Sequence, residues 1–86
     1  MPQISYFFGI TITMYWSDHL PMHFHASYGE YSAKISIDDA AIVDGELPPR
    51  ITGLVVEWTM LHRNELKENW LRCSKKESPL KIAPLL

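Results

Sequence analysis

Residues 7–37 read FFGITITMYWSDHLPMHFHASYGEYSAKISI, and the period of this stretch decides the fold. Phe8, Ile10, Ile12, Met14 and Trp16 alternate with Phe7, Thr11, Thr13 and Tyr15, the two-residue repeat of a β-strand. The β-branched and aromatic content suits a pleated surface, and apolar residues on both faces point to a central or covered strand. Ser17, Asp18 and Pro21 interrupt the alternation, so SDHLPM (17–22) is a loop. Alternation resumes with Phe24, Ala26 and Tyr28 against His23, His25 and Ser27. It turns at Gly29 and continues through Tyr31, Ala33, Ile35 and Ile37, which makes a hairpin.

Downstream, Asp38 and Asp39 form the next turn, and Ala41 to Leu47, weakened by Asp44 and Gly45, fits an edge strand. Pro48 and Pro49 end the sheet, because proline cannot donate to a ladder, and the second suits the first turn of a helix. The period then changes: Ile51, Leu54, Val55, Trp58, Leu61, His62, Leu66, Trp70 and Cys73 recur at steps of three and four residues, one apolar stripe of an amphipathic helix. That helix runs from about Arg50 to about Lys75, with room for a kink or break near Arg63 and Asn64. Trp58 and Leu54 sit at the centre of the stripe and are its expected anchors. The expected architecture is α+β: an antiparallel sheet of three to four strands followed by one long C-terminal helix packed on one face. The domain spans residues 1–76, and Pro79 and Pro84 make 77–86 an extended C-terminal tail. A single helix covers one face of such a sheet, so the other face or the edge strand is left for a partner, including a second copy of the chain.

The 86 residues leave no room for two cores, and 47% apolar with 12% aromatic residues describes a folded chain rather than a disordered one. A formal charge of -2 disfavours broad electrostatic binding to nucleic acid. The single cysteine, Cys73, permits neither an internal disulfide nor a zinc-thiolate cluster, so a reducing cytoplasm is the expected location. No apolar run reaches the roughly 20 residues of a membrane span, and MPQISYFFG lacks the order of a signal peptide.

Three of the four histidines stand at 19, 23 and 25, just after Asp18. Residues two apart on a strand share a face, with Cβ atoms roughly 7 Å apart, so His23 and His25 converge on one target, and a short loop keeps Asp18 and His19 near them. Two chemistries follow. Histidine beside a carboxylate can work as a general acid or base, with His23, His25 and Asp18 as the catalytic candidates and no cofactor needed. RNA cleavage by attack of a 2′-hydroxyl is such a reaction. Alternatively His19, His23 and His25 hold a divalent metal such as zinc, three ligands leaving an open position. The plainer reading makes these histidines polar outward residues of a hairpin, satisfied by Asp18, backbone and water. His23, His25 and Glu30 match the H-x-H-x4-E opening of the cupin metal motif, but the glycine after the Glu is missing and the chain is too short for that barrel. Trp16, Trp58 and Trp70 lie on apolar faces and read as core. His62 reads as a packing residue on the helix stripe. Cys73, with no base assigned, reads as core.

The stretch ISYFFGITITMYWSDHLPMHFHASYGEYSAKISI (4–37), with DGELPPR (44–50) and LVVEWTMLHRNELKENW (54–70), resembles the bacterial family known as domain of unknown function 4160, over about residues 2 to 72. The ordered series MYW, DH, P, HFHA, YG, GELP, EW, LHR, EL and NW carries the resemblance, and Asp18, His19, His23 and His25 all match it. The family commonly has two prolines before HFHA, whereas Leu20, Pro21 and Met22 leave one, which alters the loop. The resemblance implies no established activity. It implies a small bacterial protein often encoded beside another small domain, in an arrangement similar to toxin and antitoxin pairs. The expected function is therefore a component of a toxin-antitoxin-like two-gene module, with the histidine cluster as an RNA-cleaving or RNA-binding site. The alternatives are a non-catalytic module that pairs with the small protein of the neighbouring gene, and a metal-binding domain.

Overall fold

The structure, a computed structural model, describes residues 2–16 and 19–86. Among these residues the chain forms strands β1 (Gln3–Phe7), β2 (Ile10–Thr13), β3 (His23–Tyr28), β4 (Tyr31–Ser36) and β5 (Ala41–Glu46), then helices α1 (Pro49–Leu61) and α2 (Arg63–Ser74). The strands make one antiparallel meander in the order β1-β2-β3-β4-β5. The fold is α+β. No helix among the described residues is long and apolar enough to cross a membrane.

Two details differ from the sequence reading. The sheet has five strands rather than three to four, because the run beginning at Phe7 is not one strand: it folds back at Phe8 (φ 49) and Gly9 (φ 80), so that Phe7 pairs with Ile10. Positive φ at both central residues matches the right-handed twist of a two-residue hairpin. Phe8, grouped by alternation with Ile10 and Ile12, is therefore an exposed turn residue, and Phe7, grouped with Thr11 and Thr13, is the buried one. The long helix is two helices, broken at His62 (φ -118, ψ 23). The apolar stripe continues through the break because His62 N–H still donates to Trp58 O and Leu66 N–H to His62 O.

One face of the sheet carries the core. Ile10, Ile12, Phe24, Ala26, Ala33 and Ile35 are buried on it, with Ile12 opposite Ala26, Ala26 opposite Ala33 and Phe24 opposite Ile35. Trp58 of α1, fully buried, lies with its ring centroid 5.3 Å from Phe7 and 5.7 Å from Phe24. Leu54 is only half-buried, and Val55 takes the more enclosed place on the stripe. The opposite face aligns Thr11, Ser27, Ser32 and Glu46 across four strands and is largely polar and open.

Helix α2 runs across one end of the sheet. It starts beside β4, where Arg63 Nε donates to Ile37 O (3.1 Å) and Lys67 pairs with Asp38 (3.2 Å). It finishes near β1: Asn69 holds Leu80, and Ile82 N–H donates to Ile4 O (2.8 Å). The segment after α2 thus lies along the outer edge of β1, with Ile82 and Leu85 buried. The other edge is blunted differently. On β5, Asp44 faces Lys34 while Ile42 faces Ile35, so Val43 is the extra residue of a bulge, and Gly45 adopts φ 78. Bulges and the acidic Asp44 and Glu46 discourage edge-to-edge pairing.

Candidate functional site

His23 opens β3 at the sheet end that α2 crosses. Its Nδ1 lies 2.8 Å from Pro21 O. A carbonyl only accepts, so the proton is on Nδ1, and in the neutral ring Nε2 carries the lone pair. The His23 ring is 5.2 Å from Trp70 and 5.3 Å from His25, and the residue is 2% exposed. His25, one pleat further on, sits between Thr13 and Lys34 of the flanking strands, and Tyr15 meets it edge-on at 4.3 Å. The residue is half-buried, and its Nε2 is enclosed. The two imidazoles share a face, as the two-residue period requires, and stand in one aromatic corner with Tyr15 and Trp70.

His19 is exposed. Among the described residues no group of three His, Cys, Asp or Glu side chains is placed to hold one metal ion, so His19, His23 and His25 are not brought together as a ligand set there. Asp18, proposed as the carboxylate partner, lies outside the described residues. Glu30 is in the turn at the far end of β3 from His23, which keeps it away from the pair.

Three contributors to the corner escaped the sequence reading. Tyr15 was legible in principle, since alternation puts it on the side of Thr13, the residue opposite His25. Trp70 and the Pro21 carbonyl were not, because no local pattern shows that α2 turns across the end of the sheet. Trp16, read as core, is instead 51% exposed, and Leu20 on the same connection is 77% exposed. Alternation carried Trp16 inward only on the assumption that the strand continued, whereas β2 ends at Thr13.

Beyond the His23–His25 pair, the chemical groups are His62, Cys73 and a pocket that His25 helps to line. The His62 ring lies tilted against Trp58, centroids 5.5 Å apart, with Nδ1 2.6 Å from Glu65 Oε1. Cys73 is buried, and burial pushes its thiol pKa up, which keeps it protonated and poorly nucleophilic. A shallow pocket on the open face, about 130 Å³, is lined by His25, Ser32, Lys34 and Asp44 among others.

No curated protein and no solved structure matches the chain. The family model described as Domain of unknown function (DUF4160) matches residues 9–71, which takes in β2 to β5, α1, most of α2 and the whole histidine corner, and leaves out β1 and the segment docked on it. With most of its length matched, the chain belongs to the DUF4160 family.

Proposed function

We propose that the domain is a protein-interaction module that pairs with the small protein of a neighbouring gene, in a two-gene arrangement of toxin-antitoxin type. The observation that carries this reading is the exposure of Trp16 and Leu20 on the β2–β3 connection, immediately before a histidine that is built into the frame. Large apolar and aromatic side chains of this kind serve as anchors in protein interfaces. His23 supports the connection from beneath: it holds Pro21 O and packs on Trp70, the behaviour of a brace rather than of a group that exchanges protons with a substrate. The formal charge of -2 favours a protein over a polyphosphate partner.

The test is co-expression with the neighbouring gene product. A Trp16→Ser, Leu20→Ser double variant is expected to lose co-purification, by about tenfold or more in affinity for two anchors, with an unchanged melting temperature. Retained binding would overturn the reading.

A second reading, an RNA-cleaving or RNA-binding site at His23, His25 and Asp18, draws on the 5.3 Å separation of the two imidazoles, short enough for both to act on one group. Expression without the neighbouring gene addresses it. Growth arrest with RNA loss that a His25→Ala variant abolishes would favour this reading over the first. Stoichiometric bound metal in the same preparation would favour the metal-binding alternative.

A further inference from the structure

The segment from Leu80 to Leu85 is held as a ligand is held. Asn69, buried in α2, brackets the Leu80 backbone, its Nδ2 donating to Leu80 O and its Oδ1 accepting from Leu80 N–H, both at 2.8 Å. Ile4 O of β1 accepts from Ile82 N–H at 2.8 Å, and the indole Nε1–H of buried Trp58 donates to Ala83 O at 2.9 Å. Ile82 and Leu85 are buried while Lys81, Ala83 and Pro84 face outward. One backbone hydrogen bond to a strand edge, a side-chain amide reading one peptide group and two apolar side chains in the core resemble peptide recognition beside a strand edge. Asn69 and Trp58 are fully buried polar side chains aimed at this segment, so the groove is built to have an occupant.

None of these contacts depends on the covalent path by which the segment arrives. That path, Ser74 to Ser78, is exposed throughout, and Lys76 at φ 62 caps α2, with Lys76 N–H donating to Cys73 O and Glu77 N–H to Arg72 O, so its hydrogen bonds belong to the helix and not to the groove. We propose that the groove between β1, Trp58 and Asn69 is a peptide-binding site that accepts residues 80–85 of a second copy of this chain, giving a two-fold dimer in which the copies exchange clasps. Every contact in the groove is the same whether the clasp comes from its own chain or from another. The closed monomer is favoured by the high effective concentration that a short connection supplies, and that advantage falls as the concentration of chains rises. Exchange of identical segments closes on itself, so assembly stops at two.

Shortening the hinge tests this. Deleting Glu77 and Ser78 removes about 7 Å of reach, so the clasp no longer closes on its own groove. The variant is expected to be a dimer by light scattering, with residues 80–85 protected from carboxypeptidase. A monomer, with the segment either digested or still protected, would overturn the proposal. A second measurement uses the full chain, which covers the case of a shortened variant that does not fold. Held near its melting midpoint at about millimolar concentration, then cooled and diluted, it is expected to yield a slowly dissociating dimer, and an Ile82→Asp chain treated alike is expected to yield none. Absence of the dimer from the full chain, or equal dimer from Ile82→Asp, would overturn the exchange.

Discussion

His23 and His19 stand four positions apart and have opposite surroundings. His23 is enclosed by Trp70, His25 and the Pro21 carbonyl, whereas His19 is exposed. Removing the His23 ring strands the Pro21 carbonyl and leaves a space beside Trp70. His23→Ala is therefore expected to cost about 1–3 kcal/mol, a melting temperature lower by about 4–8 °C per kcal/mol in a domain of this size. His19→Ala, at an exposed ring, is expected to cost less than His23→Ala. Thermal denaturation of the pair checks this, and an unchanged midpoint for His23→Ala would remove its bracing role. The common face of His23 and His25 was legible in the sequence, since it follows from alternation alone. The burial of His23 was not, because it is created by Trp70, whose position depends on how α2 is steered.

At the level of elements, two glycines have opposite meanings. Gly45 in β5 has φ 78, and a Cβ there would lie 2.3 Å from Ser32 O and 3.0 Å from Ala33 Cα, backbone atoms that the sheet holds in place. Gly45→Ala is expected to destabilise by at least about 1–3 kcal/mol. Gly53, exposed within α1, has nothing within 4 Å of the same position and an ordinary helical backbone. Gly53→Ala is expected to stabilise by about 0.5–1 kcal/mol. Urea titrations of both variants give the signs, and a neutral Gly45→Ala would mean that the β5 bulge is soft. The same glycines and their neighbours show where strand boundaries could be read. Gly29 and Asp38–Asp39 announced their turns through composition. The β1–β2 turn was concealed because Phe8, an aromatic, occupies a position with φ 49, where Asn or Gly is usual. The helix break at His62 left the apolar spacing intact, so periodicity left room for a break near Arg63 and Asn64 without fixing it.

For the whole molecule, Cys73 offers a reporter. It is buried on the inner side of α2 and its thiol pKa is raised by burial, so at neutral pH the native chain is expected to react with a thiol reagent only as fast as it unfolds. Because the folded-state value lies above the unfolded one, the stabilising contribution is complete below the ordinary thiol range, about pH 8.5, and is lost as pH rises through the folded value. Labelling rates that exceed global opening, or stability that grows through that alkaline range, would contradict this placement. Most of the large-scale architecture was legible: the switch from a period of two to a period near 3.6 at Pro48–Pro49 separates sheet from helices. The docking of residues 80–85 was not legible, because their partners Ile4, Trp58 and Asn69 come from β1, α1 and α2, and only the folded chain brings those elements together.

The distance along the chain between β1 and its outer cover also has a consequence for synthesis. Each inner strand pair of the meander joins neighbours in sequence, yet Lys81 reaches Gln3 across 78 positions. A ribosome therefore makes β1 first and its covering segment much later. In the interval the nascent chain carries an open strand edge. The vulnerable species is then a chain whose sheet has formed before residues 80–85 have docked, and the delay between the two sets its exposure to edge-to-edge pairing with another such chain.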